Sequence, residues 1–135
     1  MNRNIKIYLL TFAVFLVIDM IWLSVIASSL YSRYLGYIMS PTPNLFAAFV
    51  FYALFIVGLL VFVILPALKE KSMQTTLGRA ALFGLVTYAT YDLTNLATLK
   101  DWPLTITIID LIWGTVLSTL VTWISLTLIK RLRWA

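Results

Sequence analysis

The chain contains no cysteine and no histidine among its 135 residues, and only 11% of its residues are charged. The absence of cysteine excludes disulfides and thiolate chemistry. The absence of histidine removes the commonest metal ligand and the usual proton carrier near neutral pH. Because 62% of the residues are hydrophobic, there are too few polar side chains to cover a soluble domain of this length. The composition therefore indicates an integral membrane protein.

Four apolar runs account for most of the chain. They cover residues 5–28, 45–68, 79–99 and 104–129, and each is close to the roughly 20 residues that an α-helix needs to cross a hydrocarbon core about 30 Å thick. None alternates between polar and apolar positions as a transmembrane β-strand does. The sequence predicts an all-α membrane protein, with residues 1–135 forming one domain, a bundle of four transmembrane helices.

Eight of the ten Lys and Arg residues belong to one side of the predicted bundle, and the opposite side has only Arg33 and Lys100. Because positively charged loops stay in the cytoplasm, both termini are predicted to be cytoplasmic, in a multi-pass protein of the bacterial inner (cytoplasmic) membrane. The net charge of +5 then serves orientation near anionic lipid headgroups, and no nucleic-acid partner is predicted. The eight residues are Arg3, Lys6, Lys69, Lys71, Arg79, Lys130, Arg131 and Arg133.

Three of the four aspartates lie inside predicted helices, where each carboxyl costs about 2.5–3.5 kcal/mol on insertion scales. Asp92 and Asp110 each lie nine residues from Asp101 in the short outer hairpin, and Asp19 lies nine residues before Ser28 at the outer end of the first helix. At a rise of about 1.5 Å per residue, all three reach nearly the same depth. We therefore predict one intramembrane pocket in the outer half of the bilayer, formed by Asp19, Asp92 and Asp110.

Helical spacing adds polar and aromatic neighbours to these aspartates. Tyr88 and Asn95 share a helix face with Asp92, while Trp22 and Trp113 each lie three residues after an aspartate. We expect these side chains to meet in the pocket. The residues predicted to bind a substrate, a proton or a cation are Asp19, Asp92, Asp110, Asn95, Tyr88, Trp22, Trp113 and Thr94.

The remaining segments carry weaker signals. The second helix has almost nothing polar beyond Tyr52, and is expected to form a lipid-facing wall. Tyr31 and Trp102 lie just outside predicted helices, where their amphipathic rings favour the headgroup level. Pro66 is expected to kink or end the second helix because it lacks a backbone N–H.

A short motif occurs twice, in the first and the last predicted helix. Ile18–Trp22 reads Ile-Asp-Met-Ile-Trp, and Ile109–Trp113 reads Ile-Asp-Leu-Ile-Trp. An inverted duplication, of the kind that many transporters contain, would explain the repeat. Convergence on Asp-x-x-Trp in an apolar helix is the simpler explanation, and the sequence leaves both open.

Several motifs, spread over nearly the whole chain, are specific enough to suggest a relationship. They are Asp19-x-x-Trp22-Leu23, Tyr34-Leu35-Gly36, Pro41-x-Pro43-Asn44, the block 88–99, Trp102-Pro103 and Asp110-x-x-Trp113-Gly114. Together they resemble the bacterial membrane family known as domain of unknown function 2177. The resemblance implies a compact four-helix bacterial membrane protein. It implies no activity and no catalytic residues, because none is assigned to that family.

Three functions are compatible with buried carboxyl groups that have no Lys or Arg beside them in the membrane. The first is a proton-coupled or cation-binding transporter, because such a pocket is negative and partly desolvated. The second is an intramembrane acid/base enzyme acting on a lipid or an isoprenoid, whose catalytic residues are unknown. The third is a purely structural cluster that holds the helices together through hydrogen bonds.

The sequence constrains cofactors and partners less tightly. No cofactor is predicted, but a divalent cation is compatible with the oxygen ligands that Asp19, Asp92 and Asp110 would supply. Membrane lipids are the expected partners, together with a proton, a cation or an apolar small molecule. A homo-oligomer is compatible with the small-residue spacing of Ala80 and Gly84.

Polar residues are sparse on the inner side of the three aspartates. There the first helix has only Tyr8 and Thr11, and the fourth has Ser118 and Thr122. A channel through a bundle needs a polar lining along its whole length. We therefore expect a pocket that opens outward, without a continuous path to the inner side.

Overall fold

The computed structural model describes residues 2–70 and 72–135 and contains four helices joined by short connections. We label them α1, Arg3–Leu35; α2, Leu45–Glu70; α3, Met73–Thr98; and α4, Leu104–Arg131. No strand occurs in these two ranges, which confirms the prediction of an all-α protein. Three of the helices, α1, α2 and α4, are long and apolar enough to cross a membrane.

Polar side chains fix where α2 and α3 begin. Asn44 accepts a hydrogen bond from the backbone N–H of Ala47 at 3.0 Å, and Ser72 accepts one from the backbone N–H of Thr75 at 3.4 Å. Such bonds satisfy N–H groups that have no partner within the first helical turn. Because the cap of α3 is Ser72, this helix begins well before the predicted residue 79. Its first turns are polar, so a search for apolar runs does not detect them.

The first helix passes its predicted end at residue 28 and continues to Leu35. No proline or glycine interrupts this stretch before Gly36, so nothing in the sequence stops the helix earlier. Leu35 is buried against Trp102, in the hairpin before α4, and Ile106, in the first turn of α4. Burial of this apolar side chain accounts for the docking of the extension onto the hairpin between α3 and α4.

Two helices contain a π-helical segment, in which backbone hydrogen bonds span five residues. In α1 the segment is Leu23–Ala27, and the N–H of Ser28 donates to the Leu23 carbonyl. In α2 it is Leu60–Ile64. Pro66 lies two residues after this segment and has no N–H to offer the preceding turn, so the helix widens there and then continues past the proline.

The most extensive contact between helices is that of α3 with α4. Two glycines permit it, because a Cβ atom on Gly84 would collide with the Gly114 carbonyl and one on Gly114 would collide with the Tyr88 ring. α1 packs against α4. The stripe that α1 buries has one residue at every fourth position, namely Ile7, Thr11, Phe15 and Asp19.

α2 belongs to the core as well, which corrects the expectation of a simple lipid-facing wall. Phe55, Ile56 and Leu59 are at most 4% exposed, whereas Phe46 and Phe62 on the same helix remain mostly exposed. One face of α2 therefore closes the bundle. The sequence could not distinguish the faces because both are apolar.

The start of α1 and the end of α4 lie at one end of the bundle, which we call the basic end. There the ammonium group of Lys6, at the start of α1, lies 5.6 Å from the ring centre of Trp134, just after α4. Arg79 of α3 forms an ion pair with Glu70, the last residue of α2, at 3.0 Å. Successive helices therefore run in opposite directions, and the hairpin between α3 and α4 lies at the other end.

Candidate functional site

A cavity of about 530 Å³ lies between the four helices; we call it the aspartate cavity. Its volume falls within the range of about 300–1,000 Å³ that is typical of small-molecule sites. Six of the eight predicted site residues line it, namely Asp19, Asp92, Asp110, Tyr88, Trp22 and Trp113. Most of the remaining wall is aromatic or aliphatic, and includes Phe51, Tyr91 and Leu23. The structure thus brings Asp19, Asp92 and Asp110 into one largely apolar chamber.

Asp92 is the most secluded of the three aspartates. Its side chain is 0% exposed, and among the described residues no hydrogen-bond donor reaches either of its carboxyl oxygens. Its neighbour is the carboxyl group of Asp110. Two buried carboxylates side by side repel each other strongly, because little solvent screens them. The pair can therefore be satisfied by a shared proton or by a cation placed against it.

The other two aspartates accept hydrogen bonds from tyrosines. The Tyr31 hydroxyl donates to Asp110, and the Tyr52 hydroxyl donates to Asp19 at 3.2 Å. Sequence reasoning missed both tyrosines, placing Tyr31 at the headgroup level and Tyr52 on a lipid-facing wall. Two signals could have found them: no helix breaker separates Tyr31 from the first helix, and Tyr52 is an isolated polar residue in an apolar helix.

The two copies of the Asp-x-x-Trp motif meet where α1 and α4 pack. The rings of Trp22 and Trp113 are stacked, with centroids 4.3 Å apart and planes 8° from parallel. Both indole N–H groups are buried, and neither has a hydrogen-bond partner among the described residues. α1 and α4 run in opposite directions, so the two copies of the motif contact each other through equivalent faces. The stacked indoles form one wall of the aspartate cavity.

Thr94 and Asn95, the other two predicted site residues, lie outside the residues that line the aspartate cavity. The Thr94 hydroxyl donates to backbone carbonyls of its own helix, those of Thr90 and Tyr91. Asn95 lies nearly one turn beyond Asp92 towards the hairpin. The spacing of Asn95 from Asp92 along the helix did not indicate where the cavity ends.

The aspartate cavity has no basic side chain, since neither Lys nor Arg occurs among its lining residues in the described part of the chain. Within residues 2–70 and 72–135, no group of three or more Asp, Glu, His or Cys side chains is arranged to hold a metal ion. The three aspartates share a chamber without forming a three-ligand cluster. In the described part of the chain, the aspartate cavity therefore combines three carboxyl groups with no basic side chain.

A family model described as "Predicted membrane protein (DUF2177)" matches residues 4–127. The chain belongs to this family. The match confirms the resemblance seen in the sequence motifs, and it covers every residue that lines the aspartate cavity of this DUF2177 protein. Comparisons with curated proteins and with solved structures find no match.

Proposed function

We propose that this DUF2177 protein binds a cation in the aspartate cavity in exchange for a proton, as a proton-coupled, transporter-like membrane protein. The observation that carries the proposal is the fully buried Asp92 carboxyl, which has no donor among the described residues and lies beside Asp110. A proton shared by this pair removes the repulsion between two carboxylates, and so does a bound cation. Proton and cation therefore compete for one site.

The walls of the aspartate cavity favour an organic cation that carries apolar groups. The chamber of about 530 Å³ is far larger than a metal ion needs. Trp22, Trp113 and Tyr88 line it beside the carboxyl groups. Aromatic faces attract cations by about 0.5–2 kcal/mol each, most strongly where water is excluded. A quaternary or protonated amine with an aromatic or aliphatic body fits this combination of charge and surface.

We further propose that all four helices cross the bacterial inner membrane and that both termini are cytoplasmic. α3 has 26 residues, a length of roughly 39 Å at about 1.5 Å per residue, which is enough to span the hydrocarbon core. Its polarity is partly directed inward, since Asp92 and Thr76 are buried. The excess of Lys and Arg at the basic end supports a cytoplasmic location for that end.

An intramembrane acid/base enzyme and a purely structural cluster are the alternative functions. In the enzyme, the Asp92–Asp110 pair would exchange a proton with a lipid or isoprenoid substrate. In the structural case, the carboxyls would only bond helices together, and an amide would serve as well. Neither alternative requires that an added cation and protons compete for the pair, and this difference makes the proposal testable.

The test measures binding of benzyltrimethylammonium to the purified protein in detergent, through the change in tryptophan fluorescence. We expect binding that weakens as the pH falls, because protons compete for the carboxyl pair. Asp92→Asn should weaken binding at least tenfold, which is about 1.4 kcal/mol. The matched control is Asp101→Asn, because Asp101 is exposed in the hairpin and has a positive φ of 61° that asparagine tolerates.

Neopentylbenzene, the uncharged analogue of the same shape, separates charge recognition from apolar partitioning. We expect it to compete poorly with the cation. Equal binding of the two compounds, or an affinity for the cation that Asp92→Asn leaves unchanged, would refute cation binding at this site. A folded Asp92→Asn protein with no loss of binding would support a purely structural role for the three aspartates.

A further inference from the structure

Four hydroxyl groups in the bundle interior have no hydrogen-bond partner among the described residues. They belong to Thr11 of α1 and to Ser118, Thr122 and Ser125 of α4, and each side chain is 0% exposed. We call them the hydroxyl track. A buried hydroxyl without a partner costs about 1–3 kcal/mol, so four of them cost a substantial part of the stability of a small domain.

Neighbouring threonines on α4 show that the lack of hydrogen bonds to the helix backbone is specific to hydroxyls on the buried face. On the same helix, Thr115 and Thr119 each donate to the backbone carbonyl four residues earlier, at 2.8 Å. Serine and threonine in helices commonly satisfy themselves in this way. Ser118 and Thr122 lie on the adjacent buried face and do not make such bonds. Their hydroxyls are therefore available to another polar partner in the bundle interior.

The hydroxyl track continues the line of Asp110 along α4. Asp110, Gly114, Ser118, Thr122 and Ser125 follow one another at spacings of three or four residues, which places them on one helix face. From Asp110 to Ser125 this face extends roughly 22 Å at about 1.5 Å per residue, most of a hydrocarbon core about 30 Å thick.

A second cavity lies where the hydroxyl track ends. It has a volume of about 200 Å³ at the basic end, and its lining includes Thr76, Leu126 and Lys130. Leu126 directly follows Ser125 in the chain. This inner cavity is large enough to hold water, which needs only about 30 Å³ per molecule. The track thus lies between the aspartate cavity and a second chamber at the basic end.

We propose that the hydroxyl track binds a file of water molecules, and that this file carries protons between Asp110 and the basic end. The inference rests on the proposed function in one respect, because it takes the Asp92–Asp110 pair as the proton donor and acceptor. When the pair releases a proton, one carboxyl becomes a carboxylate. The proton passes along waters and hydroxyls by exchange of O–H bonds, each oxygen gaining one hydrogen and losing another, and leaves as hydronium in the inner cavity.

This proposal replaces the sequence-based expectation of a pocket without an inner path. That expectation rested on the polar residues of each helix taken alone, which are too few to line a path. In the folded bundle, Thr11 belongs to the same buried stripe of α1 as Asp19, and Ser118 lies against Gly84 of α3. Few hydroxyls suffice because water molecules supply the remaining hydrogen bonds.

The test uses liposomes that contain the protein and a pH-sensitive dye. Proton movement is followed under a potassium diffusion potential and, separately, under a gradient of benzyltrimethylammonium, so that both uncoupled and coupled movement are seen. We expect Thr122→Val to slow proton movement at least tenfold and Thr122→Ser to restore it. Thr119→Val, which removes a hydroxyl that is bonded to its own helix, should change the rate less than twofold.

Binding of benzyltrimethylammonium in detergent separates this proposal from the proposed function. Thr122→Val should bind the cation as the parent does, because Thr122 does not line the aspartate cavity. Intact binding without protein-dependent proton movement under either gradient would overturn the water file and leave cation binding standing. Equal rates for Thr122→Val and Thr119→Val would overturn it too. Loss of binding in Thr122→Val would show that the residue acts on the cavity and not on a proton path.

Discussion

The indole rings of Trp22 and Trp113 stack face to face, with centroids 4.3 Å apart and planes 8° from parallel. This contact joins the first and the last helix of the chain at the level of Asp19 and Asp110. It gives the repeated Asp-x-x-Trp motif a physical role whatever its origin, because each copy supplies one carboxyl and one half of the stack. The motif pair builds one wall of the aspartate cavity.

The tryptophan stack should contribute measurable coupling between α1 and α4. We expect Trp22→Leu and Trp113→Leu to be non-additive by about 0.5–1.5 kcal/mol, the range found for aromatic pairs. The measurement is a double-mutant cycle on the free energy of unfolding in mixed micelles. Trp123→Leu in place of Trp22→Leu is the control, since Trp123 is half exposed. If the effects of Trp22→Leu and Trp113→Leu on the free energy of unfolding are as additive as those of the control pair, a stabilising stack is excluded.

The close contact of α3 with α4 should depend on Gly84. Gly84→Ala is expected to destabilise the protein by about 1–3 kcal/mol, because the new methyl group would meet the Gly114 carbonyl and force the helices apart. Gly78→Ala is the matched control on the same helix. Among the described residues, no atom beyond the neighbouring backbone of its own helix lies within 4 Å of a new Cβ on Gly78, so that change should stabilise by about 0.5–1 kcal/mol through helix propensity. Unfolding in mixed micelles that ranks the two variants in the opposite order would contradict this packing.

Reporter fusions can test the proposed orientation. Alkaline phosphatase is active only outside the cytoplasm, so a fusion after Lys100 should be active and a fusion after Ala135 inactive. The expectation rests on the basic residues near both termini and between α2 and α3. Activity at both positions would show that α4 does not cross the membrane or that the chain inserts in both orientations. Activity of the fusion after Ala135 alone would show that the orientation in the membrane is opposite to the proposed one.

Much of the fold could be predicted because it depends on patterns that are local in the sequence. The apolar runs predicted four helices, and the structure has four in its described part. Their ends were less predictable. The amphipathic turns up to Leu35 are helical because Leu35 packs against Trp102 and Ile106, and such a contact cannot be seen in a run of hydrophobic residues. The π-helical segment Leu23–Ala27 was not predicted either, since no proline marks it.

Part of the candidate site could be predicted for a similar reason. Counting residues to the expected helix ends predicted one pocket for Asp19, Asp92 and Asp110. The end assumed for the first helix was Ser28, whereas α1 continues to Leu35. The three carboxyl groups line one cavity all the same, together with three more of the eight chosen residues. Tyr31 and Tyr52 were not chosen, because their hydrogen bonds to Asp110 and Asp19 link residues that are far apart in the chain.

The sequence by itself determined that this protein is helical and suited to a membrane, and it determined which carboxyl groups lie in the apolar part of the chain. Those properties follow from composition and from the fixed rise of a helix. Only the tertiary structure decided which face of each helix turns inward. It placed Asp92 beside Asp110, it stacked Trp22 on Trp113, and it buried the Ser118 hydroxyl; neither Asp92 nor Ser118 has a side-chain hydrogen-bond partner among the described residues. The reason is physical: helix rotation and packing are set by contacts such as Gly84 against Gly114, and in an almost uniformly apolar sequence no periodic pattern encodes them.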